Sequence, residues 1–329
     1  MIAERIEFLK RIEERRKSKI ILYVTGDRPG LETQIHQEVY DYFVNILDFI
    51  GIVSKISLVL YTRGGNTLAA WSIVNLIRQF CDDFEVIIPN KAQSAGTLIS
   101  IGANTIVMTK QATLGPVDPS INTPLNPSIE GAPPEAKFPV SVEAVNGFLE
   151  MAISKMSKPD ANAIKDLIIQ LSNKVHPLVL GDVYRSKAQI QMLSKKLLSR
   201  TGVEKDKIDG IVSFLCSESG SHDYTIHRRE ARDLGLNIEK PNDEFYKEIK
   251  SLYDDFSSEL KLTERWDPIR ELGTNDHISY SNKRCIIEST VDKSYCFITE
   301  GEMRKIQQGF QIQIQDNRTF EGWKNETTN

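Results

Sequence analysis

The feature that most constrains the fold is an alternation of strand-like and helix-like segments over the first third of the chain. Short apolar runs rich in Ile, Val and Leu alternate with longer runs whose apolar residues recur at helical spacing. Strands that alternate with helices form a parallel sheet covered on both faces and joined by right-handed crossovers. The sequence therefore predicts an α/β fold, a doubly wound, layered βαβ structure. The strand-like runs are 20–24, 56–61, 84–88 and 105–108, and the helix-like runs are 35–49, 67–80 and 95–102.

Two of the strand-to-helix connections are built from small residues. Gly64 and Gly65 follow the second strand, and Ser94 follows the third. Backbone N–H groups at such turns can hold an oxyanion, and acyl-transfer enzymes present a serine hydroxyl beside them. Ser94 could equally be a plain helix cap, and the glycines a plain turn or a phosphate cradle. Phosphate binding is disfavoured because no Lys-Ser/Thr pair follows in register and no third glycine completes a dinucleotide motif.

The remaining segments differ in composition. Residues 1–18 predict an amphipathic helix, and the proline-rich residues 119–139 predict a long irregular segment or lid. Two alternating apolar runs, 284–289 and 295–299, predict a β-hairpin. Residues from about 310 onward are mostly polar and are expected to fray. Helical spacing returns at 141–156, 160–171, 178–198, 205–214, 226–236 and 242–262.

Composition narrows the function classes. The 329 residues carry a net charge of −4, which gives no reason to expect a nucleic-acid or anionic-membrane partner. No apolar run reaches the ~18 residues that a membrane span needs, and the N-terminus lacks the apolar core of a signal peptide. The four cysteines show no close pairing, which predicts reduced thiols in a cytoplasmic protein. Without Cys-x-x-Cys or His-x-x-x-His pairs we expect no metal site.

Three short motifs, in this order, resemble the Clp-protease/crotonase superfamily. They are Arg63-Gly64-Gly65-Asn66, Gln93-Ser94-Ala95-Gly96-Thr97 and Leu114-Gly115-Pro116-Val117-Asp118-Pro119. More closely they resemble serine dehydrogenase proteinases, relatives of signal peptide peptidase A, over roughly residues 20–240. The resemblance implies a Clp/crotonase-like peptidase domain with a mainly parallel sheet at 19–240. It leaves an N-terminal amphipathic helix at 1–18 and a C-terminal helix and β-hairpin extension at 241–329.

The same resemblance implies a serine peptidase with the triad order Ser, Asp, His. Carried onto this sequence, Ser94 is the nucleophile, Asp118 the orienting carboxylate and His176 the general base. His176 precedes Pro177 at the start of a predicted helix, where the positive end of the helix dipole favours a neutral imidazole. A triad is defined by geometry rather than by chain order, so this order is chemically acceptable.

The resemblance also implies the surroundings of the triad. The N–H groups of Gly65 and Ala95, with Gly64, form the oxyanion hole. The expected substrate is a peptide or an unfolded protein, and the expected assembly is a homo-oligomer. No nucleotide, metal or organic cofactor is implied.

Other assignments of the base stay open. His222 lies shortly before residues 229–236, which resemble the closing helix of Clp peptidases, and is the rival of His176. A lysine base, as in signal peptide peptidase A-like enzymes, would be Lys137 or Lys155, with a pKa lowered by burial. The alternative function is a catalytically inactive Clp/crotonase-like scaffold or assembly protein. Acyl-thioester chemistry on the same fold is less favoured, because it needs only backbone donors where this chain has a serine.

Overall fold

The computed structural model of the protein describes residues 2–117, 120–121, 123–133, 135–156, 160–218, 223–291, 294–308 and 311–326. The helices are α1 Ile2–Arg16, α2 Val39–Ile50, α3 Thr67–Ile77, α4 Ala95–Ser100, α5 Val142–Ser154, α6 Ala161–Ser172, α7 Pro177–Leu198, α8 Lys205–Ser213, α9 Arg228–Asp233, α10 Asp243–Glu259 and α11 Pro268–Leu272. A π-helical turn, Phe214–Glu218, follows α8 directly. The strands are β1 Lys19–Thr25, β2 Val53–Tyr61, β3 Cys81–Ile88, β4 Lys91–Ala92, β5 Thr105–Met108, β6 Thr113–Leu114, β7 Ser120–Ile121, β8 Val140–Ser141, β9 Ile226–His227, β10 Ile238–Glu239, β11 His277–Ser289, β12 Ser294–Gln308 and β13 Gln311–Glu326.

One large sheet organises the molecule, with the strand order β10-β5-β3-β2-β1-β11-β12-β13. Every pairing from β10 to β1 is parallel, and the pairings from β1 to β13 are antiparallel. The parallel part is formed largely by the alternating segments that open the sequence. The predicted α/β fold with a mainly parallel sheet is confirmed. A small sheet of β4, β6 and β9 lies at the carboxyl ends of these strands.

Helices cover both faces of the parallel strands. On one face, Phe43 of α2 and Ile73 of α3 pack in a core that includes Leu58 of β2. On the other face, Leu9 of α1 and the residues of α10 pack in a second core that includes Val59 of β2. Successive side chains of a strand point to opposite faces, so Leu58 and Val59 enter different cores. Burial on both sides explains why these strands read as continuous apolar runs.

A buried ion cluster fixes the N-terminal helix against the C-terminal part of the chain. The Arg5 side chain of α1 is fully buried, with Nε 2.6 Å from Oε2 of Glu288 in β11 and Nη1 2.8 Å from Oδ2 of Asp255 in α10. Glu259 is a further partner. Burial by itself lowers the pKa of Arg5, but the hydrogen bonds and charges of Glu288 and Glu259 outweigh it and raise that pKa. Because an unpaired buried charge costs several kcal/mol, at about 3–5 for a broken pair, the cluster holds α1, α10 and β11 together.

The C-terminal strands continue the central sheet. The predicted hairpin is present as β11 and β12, and β11 pairs with β1, where Ser289 lies opposite Ile21. The expectation that residues from about 310 onward fray is wrong for 311–326, which form β13 along the outer side of β12. A strand at the sheet edge can be polar because it has only one neighbour and much solvent contact. The sheet crosses residue 240, and the division of the chain there stays a prediction.

The proline-rich segment is more regular than the sequence predicted. β7 pairs with β8, and Ser128 forms an isolated antiparallel bridge with Lys137. Asn126 fastens the base of this hairpin, because its side-chain amide donates to the Phe138 carbonyl at 2.9 Å. The segment is therefore a short hairpin in its described part, attached to the start of α5.

The remaining global predictions concern thiols, metals and membranes. All four cysteines are buried free thiols, and burial raises the pKa of Cys285 well above its ordinary value. Among the described residues no group of His, Cys, Asp or Glu is arranged to hold a metal ion. Over the same residues, no helix has both the length and the apolar character to cross a bilayer. The cytoplasmic location stays a prediction.

Candidate active site

The first turn of the site joins β2 to α3 through two glycines with left-handed backbone angles. Gly64 has a φ of 118° and Gly65 a φ of 139°, values that residues with a side chain rarely adopt. α3 begins after Asn66, whose Oδ1 accepts the Ala69 N–H at 2.8 Å and so caps the helix. The N–H of Ile35 donates to the Gly64 carbonyl, and the N–H of Asn66 donates to the Ile35 carbonyl, both at 2.8 Å. Ile35 thus holds the turn through both its N–H group and its carbonyl group.

Ser94 occupies the N-cap position of α4 but does not cap it. Its backbone has φ 51° and ψ −114°, and its side chain forms no cap hydrogen bond. The half-buried Ser94 hydroxyl has no other hydrogen-bond partner among the described residues. Such a backbone costs on the order of 1–3 kcal/mol, and residues of this kind cluster at active sites, where a strained turn exposes a nucleophile. The geometry fits a nucleophile better than the plain helix cap that the sequence also allowed.

The two turns touch each other. A Cβ added to Gly64 would lie 2.8 Å from Cβ of Ser94, 2.9 Å from the Gln93 carbonyl oxygen and 3.3 Å from the Ala95 nitrogen. These distances are shorter than ordinary contacts, so only glycine allows the approach. The contact lies at the carboxyl ends of neighbouring parallel strands, where ligands bind in open α/β sheets. Gly64 therefore places the first turn directly beside Ser94.

Two backbone N–H groups at this contact are free to bind an oxygen atom. Those of Gly65 and Ala95 donate to no acceptor within the described part of the chain. The N–H of Gly64 is different, because it donates to Oγ1 of Thr62 at 2.9 Å. Gly64 thus contributes close approach rather than a free donor. Two free donors beside an unpaired hydroxyl are the components of an oxyanion hole and its nucleophile.

Two buried threonines support the turns. The Thr62 hydroxyl accepts hydrogen bonds from the Thr25 hydroxyl at 2.6 Å and from the N–H of Gly64. The hydroxyl of Thr97, in α4, lies 2.7 Å from the Gly115 carbonyl oxygen and accepts a hydrogen bond from the Gly115 N–H at 3.1 Å. Leaving such buried groups unpaired costs about 1–3 kcal/mol each. The threonines therefore tie the Gly64 turn, the Ser94 turn and the third motif into one unit.

Asp118, the predicted orienting carboxylate, lies outside the described residues. The described part of its motif runs past the Ser94 turn, since a Cβ added to Gly115 would lie 3.3 Å from Cβ of Gln93. Val117, the residue before Asp118, is buried, and its N–H donates to the Leu215 carbonyl at 2.8 Å. The role of Asp118 stays a prediction.

His176, the predicted base, is an exposed residue at the start of α7. Its Nδ1 accepts the Leu178 N–H at 3.2 Å, so the side chain caps the helix. The opposite end of α7 is the part near the site, because Leu197 lies 3.3 Å from a Cβ added to Gly102, just after α4. A helix rises 1.5 Å per residue, which puts His176 about 30 Å from Leu197. No described contact joins His176 to Ser94, and its role as the base stays a prediction.

The rival base, His222, lies outside the described residues. The described chain on both sides of it meets the third motif: Leu215 binds Val117, and Ile226 of β9 pairs with Leu114 of β6. The flanks of residues 219–222 are therefore next to the motif that borders Ser94.

The two lysine alternatives have no described contact with Ser94. Nζ of Lys137 donates to Oγ of Ser128 at 2.8 Å within the proline-rich hairpin. Lys155 is exposed at the C-terminus of α5.

A charged group beside the two turns was not predicted from the sequence. Asp27, which follows β1, accepts hydrogen bonds from the Tyr61 hydroxyl at 2.7 Å and from Nζ of Lys91 at 2.9 Å, and Nε of Arg63 lies 3.0 Å away. Burial by itself raises the pKa of Asp27, but the hydrogen bonds of Lys91 and Tyr61 and the charges of Lys91 and Arg63 outweigh it. The pKa therefore lies below its ordinary value of 3.8. Asp27, Arg63 and Lys91 each lie within three residues of the end of a parallel strand. Charged residues at these positions are visible in the sequence and could have been predicted to lie close together.

Comparison with known families agrees with the geometry of the turns. Residues 1–137 match the sequence model of a family described as ClpP-like SDH-type serine proteinase. Over these residues the chain is similar to that family. The match includes the glycine turn, Ser94 and the third motif, and it ends before His176. The resemblance indicated by the three motifs is confirmed.

Two uncharacterized proteins of Methanocaldococcus jannaschii are similar to this chain over a longer range. MJ0137 is 29% identical over 229 residues, which are 70% of this chain and 65% of the relative. MJ1495 is 25% identical over 245 residues, which are 72% of each chain. The chain thus spans less than two thirds of the length of the first relative.

Several solved protease structures are similar at low TM-scores. Two mutants of the 1510-N membrane-bound stomatin-specific protease have TM-scores of 0.40 and 0.39 at 18% and 20% identity, and the second is in complex with a substrate peptide. They cover 70% of this chain and 85% and 78% of theirs. A ClpP1 mutant from Listeria monocytogenes has a TM-score of 0.38 at 14% identity and covers 71% of this chain and 99% of its own. Likenesses of this size do not place individual side chains.

Proposed function

We propose that this protein is a serine peptidase in which Ser94 attacks the carbonyl carbon of a peptide bond. The observation that carries the proposal is the strained Ser94 turn: within the described residues, its hydroxyl and the neighbouring N–H groups of Gly65 and Ala95 have no hydrogen-bond partner. A serine that served only as a cap would bond to the helix N-terminus with ordinary backbone angles. The family whose sequence model residues 1–137 match supports the same reaction class.

The reaction follows from these groups. Oγ of Ser94 forms a bond to the carbonyl carbon while a general base takes the hydroxyl proton. Negative charge then develops on the carbonyl oxygen, where the N–H groups of Gly65 and Ala95 stabilise it. Loss of one such donor typically costs ~10²–10³-fold in rate. The C–N bond breaks and the amine leaves with the proton from the base. A water molecule activated by the same base then hydrolyses the acyl-enzyme and restores Ser94.

The proposal keeps Asp118 and His176 as the carboxylate and the base predicted from the resemblance. His222, Lys137 and Lys155 are the alternatives. The geometry supports His222 over Lys137, because the described residues that flank His222 adjoin the third motif, whereas Lys137 bonds to Ser128. The general base must therefore be identified with separate variants of these residues.

The proposal includes assembly of several copies of the chain. Apolar side chains are exposed along α5, α6 and α7: Met151 is 56% exposed, Ile168 50%, Leu178 63% and Tyr184 80%. No residue of α6 is buried. Ile168 and Tyr184 line the same cavity, and exposed apolar side chains that share a surface mark contact sites in soluble proteins. A second copy of the chain is the occupant that we propose for this surface.

The test is labelling of the folded protein with a fluorophosphonate, which reacts with an activated serine, together with cleavage of a mixed peptide library. Wild type is compared with Ser94→Ala and with Ser154→Ala, a matched control on the exposed surface of α5. His176→Ala, His222→Ala and Lys137→Ala then identify the base. We expect loss of labelling in Ser94→Ala and in one base variant, and wild-type labelling in Ser154→Ala.

The outcomes separate the possible functions. Labelling that survives Ser94→Ala would refute Ser94 as the nucleophile. A folded wild type that is neither labelled nor able to cleave any peptide would favour the inactive scaffold. Loss of labelling in His222→Ala but not in His176→Ala would replace the predicted triad order.

A further inference from the structure

Arg63 is held at the rim of the Ser94 site by a buried carboxylate. Its Nε lies 3.0 Å from Oδ2 of Asp27, whose side chain is only 6% exposed, whereas the Arg63 side chain is 64% exposed. Asp27 also accepts hydrogen bonds from the Tyr61 hydroxyl at 2.7 Å and from Nζ of Lys91 at 2.9 Å, which fix its position. The ion pair thus keeps the guanidinium of a largely exposed side chain close to Asp27.

The donors of this guanidinium are largely free. Among the described residues, Arg63 forms no hydrogen bond, and its one ion pair is with Asp27. Arginine presents its donors in a planar fork that matches a carboxylate, so the free groups are preorganised for such a ligand. Arg63 and Lys91 together carry two positive charges against the single negative charge of Asp27. The local excess of positive charge favours an anionic partner.

The position of Arg63 along the chain places it within reach of a bound peptide. It directly precedes Gly64, which touches Ser94, and successive Cα atoms are about 3.8 Å apart. The guanidinium is then roughly 10 Å from the reacting hydroxyl, which corresponds to about three residues of an extended peptide at ~3.3 Å each. The carboxyl ends of the parallel strands form the crevice in which such a ligand would lie.

We propose that Arg63 is a specificity-determining residue that binds a carboxylate of the substrate, two to three residues from the bond that Ser94 attacks. The carboxylate is either the side chain of Asp or Glu or the C-terminus of a peptide. The inference rests on the proposed peptidase function for its catalytic meaning, but binding of the carboxylate does not itself require catalysis.

The test measures peptide binding to the Ser94→Ala variant, which cannot turn over. Fluorescence anisotropy compares matched peptides that differ only in Glu against Gln at one position, or in a free against an amidated C-terminus. We expect the carboxylate peptides to bind about tenfold more tightly, since a charge-assisted contact is strong but this one is partly exposed. Adding Arg63→Gln should abolish the difference, and Arg63→Glu should reverse it in favour of Lys-containing peptides. Arg185→Gln, on the exposed surface of α7, is the matched control.

The results separate this inference from the proposed function. Equal binding of carboxylate and amide peptides, or a difference that survives Arg63→Gln, would overturn the role of Arg63. If the fluorophosphonate labels Ser94 but the binding results overturn the role of Arg63, the peptidase proposal holds without the carboxylate site. If labelling fails but Arg63 still selects carboxylates, the carboxylate site stands without the peptidase. A preference for the free C-terminus over an internal Glu would identify the terminal carboxylate as the ligand.

Discussion

Substitution of Gly64 by alanine tests the central geometric claim, that the glycine turn lies against the nucleophile. Two costs can be worked out from the structure. The left-handed φ of 118° costs a residue with a Cβ about 1–2 kcal/mol. The added Cβ would also lie 2.8 Å from Cβ of Ser94 and 2.9 Å from the Gln93 carbonyl, and overpacking of this kind costs about 1–3 kcal/mol. We therefore expect a loss of about 2–5 kcal/mol in the free energy of unfolding.

The same substitution should also slow the chemistry. Because the methyl group must push the two turns apart, the N–H groups of Gly65 and Ala95 would no longer converge on one oxygen atom. Loss of one oxyanion donor costs ~10²–10³-fold, so fluorophosphonate labelling should slow by about that factor while the protein is still folded. The assays are urea unfolding and the labelling rate under native conditions.

Two matched glycines separate the backbone cost from the contact. Gly202 has a φ of 82° with nothing within 4 Å of an added Cβ, so Gly202→Ala should lose only about 1–2 kcal/mol and should label normally. Gly210, inside α8, has neither a left-handed φ nor a close neighbour, and Gly210→Ala should stabilise by up to about 1 kcal/mol. If Gly64→Ala labels at the wild-type rate and loses no more stability than Gly202→Ala, the reasoning about the contact is refuted.

Three further predictions concern stability and assembly. Thr97→Val should cost about 1–3 kcal/mol in urea unfolding because it leaves the Gly115 N–H unpaired, and Thr97→Ser should recover much of it. Burial by itself raises the pKa of Glu85, but hydrogen bonds from Arg16 and Ser57 outweigh it and hold that pKa below 4.5. The contribution of the ionised Glu85 to the free energy of unfolding is then complete above pH 4.5 and is lost as the pH falls through the lower pKa of the folded state. As the pH is lowered from 4.5, the urea midpoint should therefore decrease more steeply in wild type than in Glu85→Gln. Parallel curves for the two proteins would contradict this. Leu178→Glu should lower the mass measured by light scattering after size exclusion, and an unchanged mass would exclude this surface as the contact.

Much of the fold follows from local patterns in the sequence. The strands β1, β2, β3 and β5 are apolar because they are buried on both faces, and this run pattern is visible without a structure. β13 was missed because a polar strand at the sheet edge has neither a continuous apolar run nor a strict alternation, and its position depends on pairing with β12. Such pairing is set by tertiary contacts rather than by local propensity.

Only those parts of the candidate site that short stretches of sequence specify could be predicted. The turns at Gly64 and Ser94 are marked by small residues, so they could be found in the sequence. The cap that His176 forms on α7 is local, but the position of His176 relative to Ser94 depends on how α7 packs, which no local pattern encodes. The ion pair of Asp27 with Arg63 joins two strand ends that are distant in the chain, and no local signal pairs them.

The placement of β11 next to β1 has a consequence for how the protein is made. Ile21 pairs with Ser289, so β1 needs a neighbour that leaves the ribosome much later than β1 itself. α10, which packs against α1 and supplies Asp255 to Arg5, is also synthesised long after α1, and Glu288 of β11 follows later still. N-terminal regions usually fold first during synthesis, but contacts this far apart in the chain form late. We therefore expect a nascent chain to carry Ser94 in an incomplete sheet until β11 has been synthesised and has paired with β1, so the proposed hydrolytic activity would begin only after that point.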